Sequence, residues 1–300
     1  MDQKKFNLIA LGEILWDVYP DGARFGGAPA NFACTAAGLA KDRLHVSIVS
    51  AVGRDTLGEG ALDILKKRHI DTSHVAQLDQ ATGIVMVHLD EEGRATYDFA
   101  PDCAWDKLPA SPELLKLADN TQALCFGTLG QRSEISRHTI QSFVAATPAD
   151  CLRILDVNLR PPFVTDSTLI ESLELANVLK LSDEEISHIA ELTHLSGSDT
   201  EVLQQVAKKF DLQVVALTRG PDGALLIQGE EISDQPAIQT QSVDTVGAGD
   251  AFAATLAIGL LDQIPLDQIN LQACTIAAYV CSQNGATPQI PDSLISIANS

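Results

Sequence analysis

The sequence is short of positive charge. Against 40 aspartates and glutamates it sets 20 lysines and arginines, which leaves a formal net charge of −20 at pH 7. Polyanions are repelled by such a chain, which argues against nucleic acid or an anionic membrane as its main partner. A nucleotide phosphate meets the same repulsion, so a phosphate site needs local backbone donors, metal ions or both. Paired cysteines are missing too: none of Cys34, Cys103, Cys125, Cys151, Cys274 and Cys281 lies in a C-x-x-C spacing. No H-E-x-x-H stretch or Cys/His cluster points to zinc, and the seven histidines show no catalytic spacing. The cysteines read as buried reduced thiols, and the expected location is the cytoplasm. The apolar run in "MDQKKFNLIALGEIL" is too short for a membrane span, and no small-residue cleavage site follows it. There is no G-x-x-x-x-G-K-[ST] loop, and no G-x-G-x-x-G after the first apolar run. An ordinary P-loop nucleotidase and a dinucleotide-dependent dehydrogenase therefore lack their fingerprints.

What is present is a large apolar fraction, 45% of 300 residues, enough for a sizeable core. Short β-type runs alternate with helical patterns. Strands are expected at 6–11, 46–52, 123–127, 153–158, 178–182, 214–219 and 223–228. Helices are expected at 29–40, 57–68, 133–146, 183–192, 200–210, 248–262 and 266–284. Several strands are almost wholly apolar, as strands covered on both faces are. The alternation predicts an α/β fold: an open, mostly parallel sheet with helices on both faces. Two segments break it. "EILWDVYPDGARFGG" (13–27) turns at Pro20-Asp21-Gly22 without a helix, and "GIVMVHLDEEGRATYDFAP" (83–101) reads as a hairpin turning at Glu91-Glu92-Gly93. Such insertions can pair into a small β lid over a site, or form an edge hairpin of the main sheet. Without linkers or repeats, residues 1–300 read as one domain plus that lid.

One stretch asks for a chemical explanation. "VDTVGAGDAF" (243–252) sets Gly247 and Gly249 two apart, with Asp250 directly after them and an apolar run beyond. Glycines allow unusual backbone angles and close approach of a ligand. A helix beginning near Ala248 leaves its first N–H groups unpaired at a positive dipole end, which suits an anion. Alone, so short a stretch reads first as a glycine turn whose acid caps a helix.

The flanks extend the pattern. "DTVGAGDAF" resembles the C-terminal signature of the ribokinase-like sugar kinases, the PfkB family. "GGAPANFACTAAGLA" (26–40) resembles that family's first signature, and "SAVGRDTLGEGALDILKKRHID" (50–71), "DVNLRPPF" (156–163), "KLSDEE" (180–185) and "LTRGPDGALL" (217–226) follow in the family's order. Within the family, "GGAPANFA", "YDFAPDCAWD" and "DVNLRPPF" look most like fructokinases. The resemblance implies a ribokinase-like fold and transfer of the ATP γ-phosphoryl group to a sugar hydroxyl. It makes Asp250 the base, with the N–H groups of Gly247, Ala248 and Gly249 as the anion hole; one tight turn then carries both on a rigid frame. Asp17, Gly26, Gly27 and Asn31 match its sugar-contacting positions, a carboxylate and a carboxamide each suiting a pair of hydroxyls. Arg94, Tyr97 and Phe99 alternate on the second lid hairpin and are candidates to cover the sugar.

For the nucleotide, Asn158 and Arg160 are candidates to reach the phosphates, alternating with Asp156 past a strand end. Lys180 on the next strand is a second cation. Thr218, Gly220 and Gly223 form a turn that lies along the nucleotide in the family, and Asn284, Gly285 and Ala286 match the region bordering the adenine. The family commonly shows Asn-x-x-Glu feeding the water shell of Mg²⁺; here the pair is Ser182 and Glu185, so Glu185 is expected to act through water. Asp244 and Gln289 sit where relatives bind a monovalent cation such as K⁺. Trp16 and Trp105 fall in the lid segments, for packing or for stacking on a sugar ring. A lid with an open β edge also offers a surface for a homodimer. Fructokinase is the first expectation. A ribokinase, a 2-keto-3-deoxygluconate kinase, a nucleoside kinase and a non-catalytic sugar-binding regulator are the alternatives.

Overall fold

The near-continuous apolar runs form the centre of one large sheet, where both faces of a strand must be buried. The structure is a computed structural model that describes residues 5–40, 43–89 and 95–295. The chain opens with β1 (Phe6–Leu11), the hairpin β2 (Leu15–Tyr19) and β3 (Gly22–Gly26), α1 (Ala28–Ala40), β4 (Leu44–Gly53) and α2 (Thr56–Lys67). It continues through β5 (Val75–Leu78), β6 (Gly83–Leu89), β7 (Ala95–Phe99), α3 (Pro112–Asp119), β8 (Ala123–Gly127) and α4 (Glu134–Ala145). Then follow β9 (Leu152–Asp156), α5 (Asp166–Leu175), β10 (Val178–Ser182), α6 (Asp183–Thr193), α7 (Asp199–Phe210) and β11 (Val214–Thr218). The chain closes with β12 (Ala224–Gln228), β13 (Glu231–Gln235), α8 (Ala248–Leu261), α9 (Leu266–Cys281) and α10 (Asp292–Ile295).

The main sheet has the order β13-β12-β11-β10-β9-β8-β1-β4-β5. From β5 to β11 every pairing is parallel, and β12 and β13 are added antiparallel at one edge. Alternate residues serve two cores. Leu8 and Ala10 of β1 face the layer that includes Phe32 of α1, Phe252 of α8 and Ile269 of α9. Ile9 and Leu11 face the layer that includes Phe143 of α4, Leu173 of α5, Ile189 of α6 and Val206 of α7. Among the described residues no helix is long and apolar enough to cross a membrane.

Two features place a site. First, β1 pairs with β4 on one side and with β8 on the other, so the chain reverses its direction across the sheet between β1 and β8. Parallel sheets bind ligands at such a switch, in the crevice beyond the carboxyl ends of the strands. Second, the two β-rich insertions pair with each other. They form a separate sheet, β3-β2-β6-β7, with β2 and β6 parallel. This is the expected lid and not an edge of the main sheet. In its register Asp17 lies opposite Arg24 and Val85, and Val85 opposite Phe99, so these share one face. Trp16 and Phe25 share the other, in edge-to-face contact 5.7 Å apart. The Trp16 indole donates to the Leu57 carbonyl at 3.0 Å, which fastens the lid to the start of α2. The expected turn at 91–93 and Arg94 lie outside the described residues.

Candidate active site

The glycine turn is built by exclusion. Gly247 has φ +83, and a Cβ there would fall 2.4 Å from the Ala286 carbonyl oxygen, so only glycine fits. Gly249 has an ordinary helical backbone and is bare for another reason. A Cβ on it would stand 2.9 Å from the Lys180 Nζ. No side chain caps α8; of its first N–H groups that of Ala248 donates to the Thr245 carbonyl at 3.3 Å. The helix itself is buried from Ala251 to Gly259, packed on α1 and α9, so its start is held rigidly.

Asp250 stands in the first turn of α8, and its Oδ2 accepts a hydrogen bond from Asn31 Nδ2 at 2.9 Å. Burial pushes its carboxyl above the ordinary range; the Asn31 bond and the cations Lys180 and Arg160 pull the other way. A carboxylate raised in this manner is a better proton acceptor at neutral pH. Asn31 is 4% exposed, and its Oδ1 is buried without a partner. That acceptor is suited to a hydroxyl donor.

The sugar-side residues converge on this acid. Asp17 Oδ2 lies over Gly26, where a Cβ would be 2.6 Å away. Burial lifts the Asp17 carboxyl to about 6, with Arg160 opposing and Asp250 adding to the rise. The Tyr97 phenol is also raised, first by burial, and feels Arg160, Asp17 and Asp244. Lid, glycine turn and the loop after β9 thus form one polar cluster. The Arg160 charge acts on Asp17, Tyr97 and Asp250 alike. The alternation expected of Asp156, Asn158 and Arg160 stops at the end of β9, because Asn158 adopts a left-handed backbone at φ +40. Phe99 packs edge-to-face on Phe163, 5.3 Å away. Neither tryptophan is placed for stacking on a sugar: Trp16 turns to α2, and Trp105 is 2% exposed beneath Arg132.

On the other side of the glycine turn lies an open cavity of about 610 Å³, the size of a pocket for a nucleotide-sized ligand. Lys180, Thr218, Gly220, Gly223, Ala248 and Gly249 line it, with Ala277, Ala278 and Cys281 of α9 as an apolar wall. The Lys180 ammonium is buried and donates to both oxygens of Asp156, at 3.0 and 3.2 Å. Burial alone would weaken its hold on the proton. The neighbouring carboxylates, Asp156 first, outweigh that and raise it above the ordinary lysine value.

Two of the expected residues stand apart from that cavity. Asn284 is exposed and does not line the cavity. Its loop is pinned instead by Gly285, whose N–H donates to Asp244 Oδ2 at 3.1 Å. Asp244 Oδ1 accepts from Val246 N–H at 3.0 Å, so this acid ties the glycine turn to the C-terminal loop. Gln289 offers its carbonyl to the Tyr279 hydroxyl at 2.8 Å. Glu185 is 8% exposed, and both oxygens accept backbone N–H groups, from Leu159 at 2.6 Å and Ser182 at 2.8 Å. It braces the loop after β9 against the start of α6 and does not face the cavity, where Asp183 and Glu184 lie. Among the described residues no group of three or more acids, histidines and cysteines could hold a metal ion.

Two residues escaped the sequence reading. Asp156 was seen only as a strand-end acid, yet it is the partner of Lys180. Glu13 is the other, although an acid one residue past a mostly apolar strand, as in "LIALGE", is a signal in itself.

Fold and site together suit an α/β phosphotransferase: a glycine-rich helix start without a side-chain cap, an adjoining buried acid and a large cavity alongside. Residues 21–293 match the family described as pfkB family carbohydrate kinase. A fructokinase of Salmonella typhimurium is 30% identical over 290 residues, 92% of this chain and 92% of its own length. An ATP-dependent 6-phosphofructokinase of Thermoanaerobacterium thermosaccharolyticum is also 30% identical, over 97% of this chain and 92% of its own. The crystal structure of an uncharacterized sugar kinase from Pyrococcus horikoshii in complex with ATP superposes with a TM-score of 0.82 at 28% identity, covering 97% of this chain and 99% of that one. The chain belongs to the pfkB family of carbohydrate kinases, and its fold is ribokinase-like.

Proposed function

We propose that the protein transfers the γ-phosphoryl group of ATP to a hydroxyl of a hexose, D-fructose before others. The observation that carries this reading is the Asn31–Asp250 bond. It joins the turn that receives the sugar to the helix start that receives the phosphate. In the reaction the sugar hydroxyl gives its proton to Asp250 as its oxygen attacks the γ-phosphorus. The bond from that phosphorus to the β-phosphate bridge breaks, and ADP leaves. The N–H groups of Gly247, Ala248 and Gly249 meet the charge on the moving phosphoryl group, and Lys180 adds a cation beside them. Magnesium enters with ATP as part of the substrate. Asp17 and Asn31 hold the sugar hydroxyls, and the lid keeps water from the phosphate.

A neutral sugar fits the charge around the pocket better than a sugar phosphate. Asp17, Asp250 and Asp244 act on it, against Arg160 and an Arg24 already paired with Asp21. The test is an ADP-release assay with ATP, Mg²⁺ and a panel of fructose, fructose 6-phosphate, ribose, 2-keto-3-deoxygluconate and nucleosides. Highest kcat/KM for fructose is expected. Rapid turnover of ribose or fructose 6-phosphate with none of fructose overturns the choice. Two further features belong to this reading: a K⁺ site near Asp244, tested by exchanging K⁺ for choline in the assay, and a homodimer through the lid, tested by light scattering.

A further inference from the structure

Glu13 lies outside every role assigned so far, yet it is the most deeply placed acid near the base. It follows Gly12 at the end of β1, at the switch point of the sheet, and is 3% exposed. Its Oε1 accepts the N–H of Ala28, the first residue of α1, at 3.2 Å. Its main-chain carbonyl presses on the same turn from the other side: a Cβ on Gly27, where φ is +103, would come within 2.7 Å of that oxygen. Glu13 therefore grips the Gly26–Gly27–Ala28 turn with backbone and side chain together. Three residues further on stands Asn31, hydrogen-bonded to Asp250.

Glu13 also lines a small cavity of about 10 Å³, on the order of one water, shared with Cys125, Thr128, Asp156, Asn158 and Asp250. Burial drives the Glu13 carboxyl up to about 7, and its own N–H and that of Ala28 oppose the rise. Asp250 adds to the rise and Arg160 opposes it. The other titratable groups around this cavity are Cys125, whose thiol burial keeps protonated, and Asp156, which is bound to Lys180.

We propose that Glu13 is a positioning residue for phosphoryl transfer: its carboxyl oxygen anchors the first turn of α1, and through that turn it fixes Asn31 on Asp250. The proposal rests on the kinase reading given above for its effect on rate, though not for its effect on the turn. It requires an acceptor oxygen at this position and does not require a negative charge. Glutamine keeps the oxygen. Methionine keeps length and volume but offers no comparable acceptor, and its apolar tip is at home in a buried site.

The test compares Glu13→Gln and Glu13→Met with the wild-type full chain. With the sugar that the wild type phosphorylates best, Glu13→Gln should stay within about threefold of wild-type kcat, and Glu13→Met should fall at least about tenfold. KM for ATP should change less than about threefold in both, since Glu13 does not line the nucleotide cavity. Amide hydrogen exchange over residues 27–31 should accelerate in Glu13→Met and not in Glu13→Gln. Wild-type kcat and wild-type exchange in Glu13→Met overturn the proposal. A Glu13→Gln variant as slow as Glu13→Met overturns it too, because charge and not the acceptor would then be the operative feature. A wild type that phosphorylates no sugar contradicts the kinase reading alone, and the exchange measurement still decides whether Glu13 holds the turn.

Discussion

Exchange of Lys180 for methionine removes an ammonium and leaves the side-chain length nearly unchanged. The ammonium is one half of a buried pair, with side-chain exposures of 7% for Lys180 and 6% for Asp156. Losing one partner of such a pair costs about 3–5 kcal/mol when the remaining charge has no escape. Asp156 has one, because it can take up a proton. Burial, the largest influence, already lifts its carboxyl from 3.8 to about 6, with Lys180 holding it down. Without Lys180 the folded-state value rises further, while the unfolded value stays where it was. Below pH 6 Asp156 is protonated in both folded proteins, so both lose stability equally as pH climbs from 3.8. Above pH 6 the wild type has finished losing stability on this account, and the variant continues at about 1.4 kcal/mol per pH unit. The variant's deficit should thus grow as pH rises above 6, with an upper limit of about 1.4 kcal/mol per pH unit. Urea denaturation at several pH values, followed by tryptophan fluorescence, measures it. A deficit that is the same at pH 5 and pH 8 would refute the reasoning. The double variant Asp156→Leu with Lys180→Met should recover much of the stability, since an apolar pair can replace a buried ionic one, and should remain inactive.

Other consequences follow from the same geometry. Gly247→Ala forces a left-handed alanine against the Ala286 carbonyl, which costs at least about 1–2 kcal/mol and dislocates the anion hole; thermal unfolding and kcat should both fall, and an unchanged kcat would show that the turn does not bind phosphate. Glu13 has a folded-state value of about 7 against 4.5 unfolded, so its contribution to stability is present below pH 4.5 and is lost as pH rises to 7. Glu13→Gln is free of this loss and should gain about 3 kcal/mol on the wild type between pH 4.5 and pH 8; a pH-independent difference in denaturation midpoint would contradict the burial of that acid.

Much of this architecture could be read before any coordinates, for identifiable reasons. The strands at 6–11, 123–127 and 178–182 are bounded apolar runs, and their ends were placed correctly. The edge strand β13, "EISDQ", is mostly polar, and α3 and α5 are helices of 8 and 10 residues, so their signals were weak. The lid was legible because two β-rich insertions interrupt a helical rhythm. Gly247 was legible because its left-handed backbone is a local need, whereas Gly249 is bare against Lys180, which only the fold brings near. What the sequence hid depends on orientation. Asn158 turns the chain left-handed and ends an alternation that strand geometry would have continued. The spacing of Glu185 does not show that its carboxylate also accepts the N–H groups of Leu159 and Ser182, which the fold brings to it. Trp16 shares a strand with Asp17 but points to the opposite face, a consequence of the two-residue period of a strand. Glu13 touches residues 15 positions away in sequence, and only the folded turn makes that contact.

The claim that all else depends on is that Asp250 takes the proton from the sugar. Asp250→Asn keeps size and the neighbourhood of Asn31 while removing the base. The decisive measurement is single-turnover phosphoryl transfer in this variant, alongside calorimetric binding of the sugar. A loss of at least about a hundredfold in rate, with sugar affinity held within a few fold, is the predicted result. Wild-type phosphoryl transfer in Asp250→Asn would contradict the account.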